Sequence, residues 1–319
     1  VVTVDLDEEV AAEAGQHLAT AGYPDVTVVA ADGAAGYPPQ APYDRIIATV
    51  GISDLAPAWL AQLAPGGRIV VPLDLRGSQR SVAFERSADT PGAWQSRSVV
   101  PCGFMRMRGT LAGPERTRVT GDYPELALTM LDGRLLDMTV LARALDEPAA
   151  EYPTRVTAGP SQLFDGLGLW LGLHAPHLGV LSETGGPRTA ALARAPGRVR
   201  DQFVTTGIFE PDSFAVLARP HGDQGPLLRD PRRGRRGRPA EPPFALTVLG
   251  YGPDGDTLAA QLAKLLEAWQ AAGRPGTGSF RILAYPRPAG GFTSIRLQAG
   301  EAAVDRPHTR FVVAPLEKT

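Results

Sequence analysis

The stretch VVTVD at residues 1–5 has the β-branched composition of a strand and ends in an acid. Helix-forming residues follow over 8–21, and Gly22 is the kind of residue that ends a helix. A second apolar run, over 26–31, is closed by Asp32-Gly33. A strand, a helix and a strand in this order predict a βαβ unit whose two strands lie parallel.

The same alternation continues after a proline-rich loop. Residues 43–50 predict a third strand, and residues 68–73 predict a fourth. Between them, Ser53 or Asp54 is suited to cap a helix that extends to Leu63. Because crossovers between parallel strands are right-handed, we expect a doubly wound α/β sheet.

The order of elements changes after the fourth strand. Residues 81–86 and 94–107 read as consecutive strands joined by a turn at 89–92, which predicts an antiparallel hairpin. Dinucleotide dehydrogenases usually continue with strand–helix units, whereas Rossmann-like methyltransferases place an antiparallel strand at the end of the sheet. The hairpin therefore favours a Rossmann-like methyltransferase sheet.

The later part of the chain has a different pattern, and 319 residues are enough for two domains. Helices are predicted over 133–145, 160–173 and 256–272, and strands over 214–219, 244–251, 280–285 and 311–314. We therefore predict a methyltransferase domain over 1–112 and a C-terminal α+β substrate-recognition domain over 113–319. Inside the second domain, the arginine-rich basic loop 229–239 has a composition that does not favour folding alone.

The composition disfavours several classes of protein. The formal net charge is -2, which gives the chain no overall attraction to nucleic acid or to anionic lipid. Cys102 is the single cysteine, so an intramolecular disulfide framework and a multi-cysteine metal site are excluded. No apolar run approaches the roughly 18 residues of a transmembrane helix, and no signal-peptide pattern is present. We predict a cytoplasmic protein without a membrane or nucleic-acid partner.

The chain opens with Val1 inside the first predicted strand. In sheets of this type, a glycine-rich loop after the first strand approaches the cofactor closely. The sequence has no such loop before Val1. We therefore expect the sheet to be N-terminally incomplete, with the first strand and the glycine-rich loop of a Rossmann-type sheet absent. The strand at residues 1–5 then corresponds to the second strand of such a sheet.

Acids stand at the ends of the first two predicted strands. An acid after the second strand of a Rossmann-type sheet accepts hydrogen bonds from ribose hydroxyls, and Asp5, beside Leu6, has this position. Asp32-Gly33 stands where an adenine amino group would be read in a methyltransferase. Plainer interpretations exist: Asp5 and Asp7 as solvated acids at a strand end, and Asp32-Gly33 as a turn. NAD-dependent enzymes share the ribose acid, so these residues alone do not separate the two classes.

Five segments together resemble the protein-L-isoaspartate O-methyltransferase family in order and spacing. They are VVTVD at 1–5, VVAADGAAGYPPQAPYDRIIATVG at 28–51, LAQLAPGGRIVVPL at 60–73, QRSVAFER at 79–86 and VPCGFMRM at 100–107. The resemblance covers roughly residues 1–110. It implies S-adenosylmethionine as the methyl donor, S-adenosylhomocysteine as the product and a carboxylate as the acceptor.

The resemblance also gives roles to particular residues. It implies that Asp5 holds the ribose, that Asp32-Gly33 meets the adenine, and that Thr49-Val50-Gly51 borders the methyl donor. Residues 104–107 resemble the family's Phe-Val-Pro-Leu strand, with Arg106 in place of proline. Phe104 and Arg106 are therefore candidate substrate residues.

The expected chemistry requires no acid or base. A carboxylate is already a nucleophile and a sulfonium methyl group is already activated, so transfer needs in-line positioning and removal of water. Thr49, Val50 and Gly51 are candidates for positioning, and no general base is predicted.

The remainder of the chain resembles the C-terminal extension of the actinobacterial FxLD-system methyltransferases, which belong to peptide natural-product clusters. Residues 304–310, VDRPHTR, are the best part of this match. The resemblance implies esterification of aspartate side chains in a ribosomally made precursor peptide, followed by succinimide closure and hydrolysis to isoaspartate. It makes His308 a candidate substrate residue, while a structural polar pair of Asp305 with His308 is the alternative.

Other functions stay open at this point. A general repair methyltransferase would act on isoaspartyl proteins rather than on one peptide. An NAD-dependent oxidoreductase is disfavoured by the hairpin, and a nucleic-acid methyltransferase by Ala48-Thr49-Val50-Gly51, which lacks the (N/D)PP(Y/F) motif. His174 and His177 have ligand chemistry but are separated by a proline, so we read them as a loop and predict no metal site.

Overall fold

The computed structural model describes residues 1–113, 117–119, 124–185, 189–199, 202–221, 243–288, 291 and 295–316. The chain forms two compact units. The first contains Val1–Leu75, Gln79–Gly113 and Gly278–Thr319, and the second contains Arg76–Ser78 and Pro114–Thr277. The predicted basic loop 229–239 lies outside the described residues.

The described elements are mostly strands. In chain order, the strands are β1 (Val2–Asp5), β2 (Thr27–Ala30), β3 (Tyr43–Ile47), β4 (Leu63–Leu75), β5 (Ser78–Arg86), β6 (Trp94–Pro101), β7 (Thr117–Val119), β8 (Leu126–Met130), β9 (Ala150–Ala158), β10 (Leu178–Thr184), β11 (Gly197–Val199), β12 (Gln202–Phe209), β13 (Phe214–Ala218), β14 (Phe244–Tyr251), β15 (Phe280–Pro286), β16 (Ala302–Asp305) and β17 (Thr309–Pro315). The helices are α1 (Glu8–Thr20), α2 (Pro57–Ala61), α3 (Met138–Ala144), α4 (Pro160–Gln162), α5 (Gly168–His174), α6 (Ala190–Ala193) and α7 (Gly255–Ala271), and a π-helical turn over Leu163–Leu167 joins α4 to α5.

The first unit begins with the predicted βαβ arrangement. Strands β1 and β2 pair in parallel from Val2 with Thr27 to Asp5 with Ala30, and α1 connects them, which confirms this unit. The side chain of Asp7 caps α1 by accepting hydrogen bonds from the backbone N–H groups of Glu9 at 3.1 Å and Val10 at 3.4 Å. Asp7 is therefore a helix cap, and its side chain is also 41% exposed to solvent.

A seven-stranded mixed sheet, in the order β16-β17-β15-β6-β5-β4-β3, forms the rest of the first unit. Strands β3 and β4 are parallel, and β5 and β6 are antiparallel, as the hairpin pattern predicted. The single doubly wound sheet that we expected is not formed, because no described strand pairs with both β1 and β3. The described residues of the first unit form two sheets instead.

The end of the chain belongs to this mixed sheet. Strand β15 pairs with β6 through Leu283 with Gln95 and Ala284 with Trp94, and β17 pairs with β15. The rings of Phe84 and Phe311, both fully buried, lie 6.4 Å apart between centroids. The structure departs here from the predicted boundary, since a division at residue 112 would separate β15, β16 and β17 from the strand that they extend.

The helix predicted from Ser53 or Asp54 to Leu63 is shorter in the structure. Helix α2 is preceded by Ala56 as N-cap without a side-chain hydrogen bond, and Leu63 already begins β4. Pro57 at the first helical position accounts for the later start, because proline is suited to that position.

The second unit contains an antiparallel sheet in the order β7-β8-β10-β12-β13-β14-β9, with β11 paired to β12. One face packs around Phe209, Phe214 and Tyr251, whose rings stack in sequence with centroid separations of 5.4 and 4.9 Å. The other face packs against α5 and α7, with Trp269 fully buried. Within the described residues, no helix is both long enough and apolar enough to cross a membrane.

Candidate functional site

Asp5 lies at the carboxyl end of β1, and Asp32 follows the carboxyl end of β2. Because these strands are parallel, both acids lie at the same edge of the two-stranded sheet. The side chain of Asp5 is exposed, and its Oδ1 accepts a hydrogen bond from the backbone N–H of Asp7 at 2.9 Å. Leu6 beside it is also exposed. The edge thus presents a carboxylate and an apolar side chain to solvent.

The carboxylate of Asp32 is held by three donors. Its Oδ1 accepts from the backbone N–H of Ala34 at 2.9 Å, and its Oδ2 accepts from the backbone N–H of Thr110 at 2.7 Å and from the Thr110 hydroxyl. The hydroxyl and then the amide of Thr110, with the amide of Ala34, lower the pKa of Asp32 below its usual value. An ionised carboxylate offers about four lone-pair positions, so one acceptor position is left for a ligand.

Gly33 is fixed by a different contact. Its carbonyl oxygen accepts a hydrogen bond from the indole N–H of Trp59 in α2 at 2.7 Å. The turn after β2 is therefore tied to the helix that precedes β4. The Asp32-Gly33 segment is therefore a turn, which was the alternative to a role in adenine recognition, and this turn lies at the same edge of the two-stranded sheet as Asp5.

Thr49, Val50 and Gly51 follow β3, with Thr49 exposed and Gly51 buried. The N–H of Gly51 donates to the carbonyl of Met105 at 2.7 Å, and the N–H of Met107 donates to the carbonyl of Gly51 at 2.9 Å. Gly51 and Arg106 form an isolated parallel bridge. The structure thus brings Gly51, a predicted positioning residue, together with the segment that contains Phe104 and Arg106.

That segment is not part of β6, although the sequence predicted one strand over 94–107. Strand β6 ends at Pro101, where the chain turns away from β5 and crosses to Gly51. Phe104, Met105 and Arg106 are exposed, and Met105 has 86% of its surface accessible. These side chains are available for contact with a substrate.

The same segment continues to the two acids at the end of β1 and β2. The guanidinium of Arg108 lies 3.9 Å from the carboxylate of Asp7, and Thr110 binds Asp32. Residues 104–110 therefore contact Gly51, the cap of α1 and the turn after β2 in succession. These contacts link Asp32 and Gly51 to the segment that contains Phe104 and Arg106.

His308 is held at this unit by its backbone rather than by its imidazole. Its N–H donates to the Oδ2 of Asp54 at 2.6 Å, and its side chain is exposed. The predicted pair of Asp305 with His308 is not what the structure presents, because Asp305 forms a two-point ion pair with Arg310 at 2.5 and 2.8 Å. Asp305 and Arg310 lie opposite each other in the β16–β17 hairpin, which explains why Arg310 rather than His308 is the partner of Asp305.

Asp54 is a residue of this region that the sequence pattern did not identify as such. It is buried, and its Oδ1 accepts from the N–H of Leu55 at 2.8 Å while its Oδ2 accepts from His308. Burial raises the pKa of Asp54, and the donors from His308, Thr309 and Leu55 oppose that rise. A sequence pattern could not have shown this role, because the partner lies 254 positions further along the chain.

The pKa of Asp54 leads to a prediction about pH and stability. A carboxyl group whose pKa is raised on folding stabilises the fold below its unfolded pKa, and that contribution is lost as pH rises through the folded pKa. Asp54→Asn retains an acceptor for His308 and removes the titration. We expect the free energy of unfolding of the variant, relative to the parent protein, to improve as pH rises from about 4 to 7. Denaturant titrations at several pH values measure this, and a difference that is constant with pH would contradict it.

Of the two histidines predicted to lie in a loop, His174 is instead the last residue of α5, and His177 lies in the turn before β10. The imidazole of His174 stacks on Trp170 with ring centroids 3.9 Å apart, and His177 contacts the Oδ2 of Asp132 through Nδ1 at 3.1 Å. His177 has a φ of 49°, which is uncommon for a residue with a side chain. Among the residues that the structure describes, no group of three or more His, Cys, Asp or Glu side chains is placed to hold a metal ion.

Parallel strands that are followed by acids at the same edge are also an arrangement of the nucleotide-binding α/β folds. Residues 1–108 match the family model described as Protein-L-isoaspartate(D-aspartate) O-methyltransferase (PCMT). The match contains every predicted cofactor residue and both Phe104 and Arg106. It ends before Pro114–Thr277, the larger part of the second unit, so the resemblance of the later residues to FxLD-system enzymes stays a prediction.

Individual proteins similar to this chain carry the same description. A protein-L-isoaspartate O-methyltransferase of Hyperthermus butylicus is 41% identical over 110 residues, which are 34% of this chain and 45% of the relative. One from Methanopyrus kandleri is 39% identical over 110 residues, 34% of this chain and 48% of the relative. The chain thus spans less than half of the length of these relatives. A solved structure titled protein-L-isoaspartate O-methyltransferase aligns with 89% of this chain and 64% of its own at 18% identity, with a TM-score of 0.35.

Proposed function

We propose that this protein transfers the methyl group of S-adenosylmethionine to a carboxylate of an isoaspartyl side chain. The observation that carries the proposal is the family match over 1–108, which coincides with the residues that build the Asp5–Asp32 edge and the Gly51–Arg106 contact. The general repair function is the form of the activity that the similar proteins favour.

The residues at the edge fit the proposed cofactor. Asp5 presents an exposed carboxylate, which suits the two hydroxyls of a ribose. Asp32 keeps one acceptor position for an adenine amino group, and its lowered pKa favours the ionised acceptor form. When bound, the cofactor supplies a methyl group activated by a sulfonium. Leu6, Thr49 and Val50 complete the set of residues that we propose to contact it.

The protein's own part in the reaction is to position the acceptor and to exclude water. Gly51 exchanges backbone hydrogen bonds with Met105 and Met107, which flank Arg106, so this predicted positioning residue lies beside the segment that contains the predicted substrate residues. The exposed guanidinium of Arg106 is suited to pair with a substrate carboxylate, and Phe104 offers an apolar surface beside it. This arrangement suits a transfer that depends on orientation.

A dedicated precursor peptide is the second candidate substrate. The observation that favours it is the antiparallel sheet of the second unit, which lies outside the residues that match the family model. A general repair enzyme of the relatives' size has less need for an extra unit that selects one particular peptide. We propose that the second unit and His308 select the peptide if the substrate is a dedicated one.

The test compares three acceptors under the same conditions: a peptide with one isoaspartate, the same peptide with aspartate, and a short acidic peptide encoded beside the gene. Transfer of a labelled methyl group and its loss as methanol in base measure the ester. We expect kcat/KM for the isoaspartyl peptide to exceed that for the aspartyl peptide by at least about tenfold, which corresponds to about 1.4 kcal/mol. Preferred methylation of aspartate in the encoded peptide would favour the second candidate, and no ester on any acceptor would contradict both.

A further inference from the structure

Gln79, at the start of β5, holds the segment that leaves β6. Its backbone carbonyl accepts from the N–H of Cys102 at 3.1 Å, and its side-chain Oε1 accepts from the N–H of Phe104 at 2.6 Å. The residues before Cys102 pair with β5 by ordinary ladder contacts, which end with Arg80 and Pro101. The side chain of Gln79 therefore replaces the missing backbone acceptor for Phe104, where the chain turns towards Gly51.

The same carboxamide also lies against Gly51. A Cβ at Gly51 would meet the Nε2 of Gln79 at 2.1 Å, so the absence of a side chain at position 51 leaves the space that Gln79 fills. One end of the carboxamide thus contacts the segment after β3, and the other end binds the segment that contains Arg106. Gly51 in turn exchanges backbone hydrogen bonds with Met105 and Met107.

We infer that Gln79 is a positioning residue, which sets the register of Phe104 and Arg106 against Gly51. This inference rests on the proposed function and goes beyond it, because Gln79 is not one of the strand-end acids and the resemblance of the segment 79–86 assigns it no role. Gln79 does not contact the acids at the ends of β1 and β2 in the described hydrogen bonds. Its removal should therefore affect the acceptor substrate and spare the cofactor.

The experiment uses Gln79→Met, which keeps the length of the side chain and removes the acceptor, and Gln79→Glu, which keeps an acceptor for Phe104. Gln95→Met is the matched control, because Gln95 is a half-buried glutamine of β6 in the same sheet. We expect Gln79→Met to lower kcat/KM for the isoaspartyl peptide roughly tenfold, mainly through KM, because Phe104 and Arg106, which we propose to bind the acceptor, lose the register that Gln79 sets. Gln79→Glu should recover most of that loss, and Gln95→Met should remain within about twofold of the parent.

Two further readouts separate positioning from loss of stability. The affinity for S-adenosylhomocysteine should be the same within about twofold in all variants, and exchange of the Phe104 amide hydrogen should become faster in Gln79→Met alone. A parent protein that does not methylate any peptide would overturn the proposed function and this inference with it. An active parent with Gln79→Met equal to Gln95→Met, or with Gln79→Glu as impaired as Gln79→Met, would overturn the inference and leave the proposed function standing.

Discussion

Replacing Asp5 with alanine should weaken the binding of S-adenosylhomocysteine by about 1–3 kcal/mol, roughly a 5- to 150-fold rise in Kd. The carboxylate is exposed at the carboxyl end of β1, so it does not help to stabilise a buried core. Its removal takes away charge-assisted hydrogen bonds to hydroxyl groups, which are about twice as strong as neutral ones. Isothermal titration of the purified protein measures the change.

Two controls make the Asp5 result specific. Asp25→Ala removes an equally exposed aspartate that precedes β2, at the opposite end of the same two-stranded sheet, and should leave Kd unchanged. Asp5→Asn keeps one acceptor oxygen and should fall between the parent and Asp5→Ala. Equal affinity in Asp5→Ala and Asp25→Ala would remove Asp5 from the proposed cofactor site.

The sequence correctly predicted those helices and strands whose characteristic pattern lies within the segment itself. The helix predicted over 8–21 is α1 within one residue, and the strand predicted over 244–251 is β14 without a change. The helix predicted over 256–272 is α7 shifted by one residue. In α7, apolar residues at helical spacing form one buried face, and this periodicity is a property of the segment itself.

Elements that depend on distant partners were not predictable in the same way. Strand β15 was recognised as a strand, but its pairing with β6 joins positions about 190 residues apart, and local pattern does not encode such a partner. Strand β9 contains Pro153, which lowers its signal, and its pairing with β14 shows a bulge between Ala245 and Thr247. The domain boundary at residue 112 was a consequence of reading strands without their partners.

The residues of the candidate site also divide into those that the sequence predicts and those that depend on distant partners. Asp5, Asp32 and Gly51 could be proposed from sequence because strand ends in this class of sheet have defined chemical neighbours. The contacts of Asp54 with His308 and of Gln79 with Phe104 join segments that are 254 and 25 positions apart. Only the folded structure brings these groups within hydrogen-bond distance.

Trp269→Ala is the substitution for which we expect the largest loss of stability. The indole is fully buried in α7 among the residues that pack on one face of the antiparallel sheet of the second unit, and its N–H donates to the carbonyl of Pro275 at 3.2 Å. The guanidinium carbon of Arg274 lies 5.8 Å from the ring centroid. Truncation would leave a cavity, remove a donor from Pro275 and take away the surface on which Arg274 lies. Burial of this size is worth about 3–5 kcal/mol when tryptophan is replaced by alanine.

Urea titration followed by circular dichroism should therefore show an unfolding midpoint well below that of the parent. Leu135→Ala is the matched control, because Leu135 lies in the same unit but is 57% exposed, and its loss should change the free energy of unfolding by less than about 0.5 kcal/mol. Trp269→Phe keeps the apolar volume of one ring and removes the donor, so it should fall between the two. If Trp269→Ala and Leu135→Ala had the same unfolding midpoint, the packing of α7 against the antiparallel sheet would not be the main source of stability in the second unit. A loss of similar size in Trp269→Phe and Trp269→Ala would instead assign most of the effect to the hydrogen bond with Pro275.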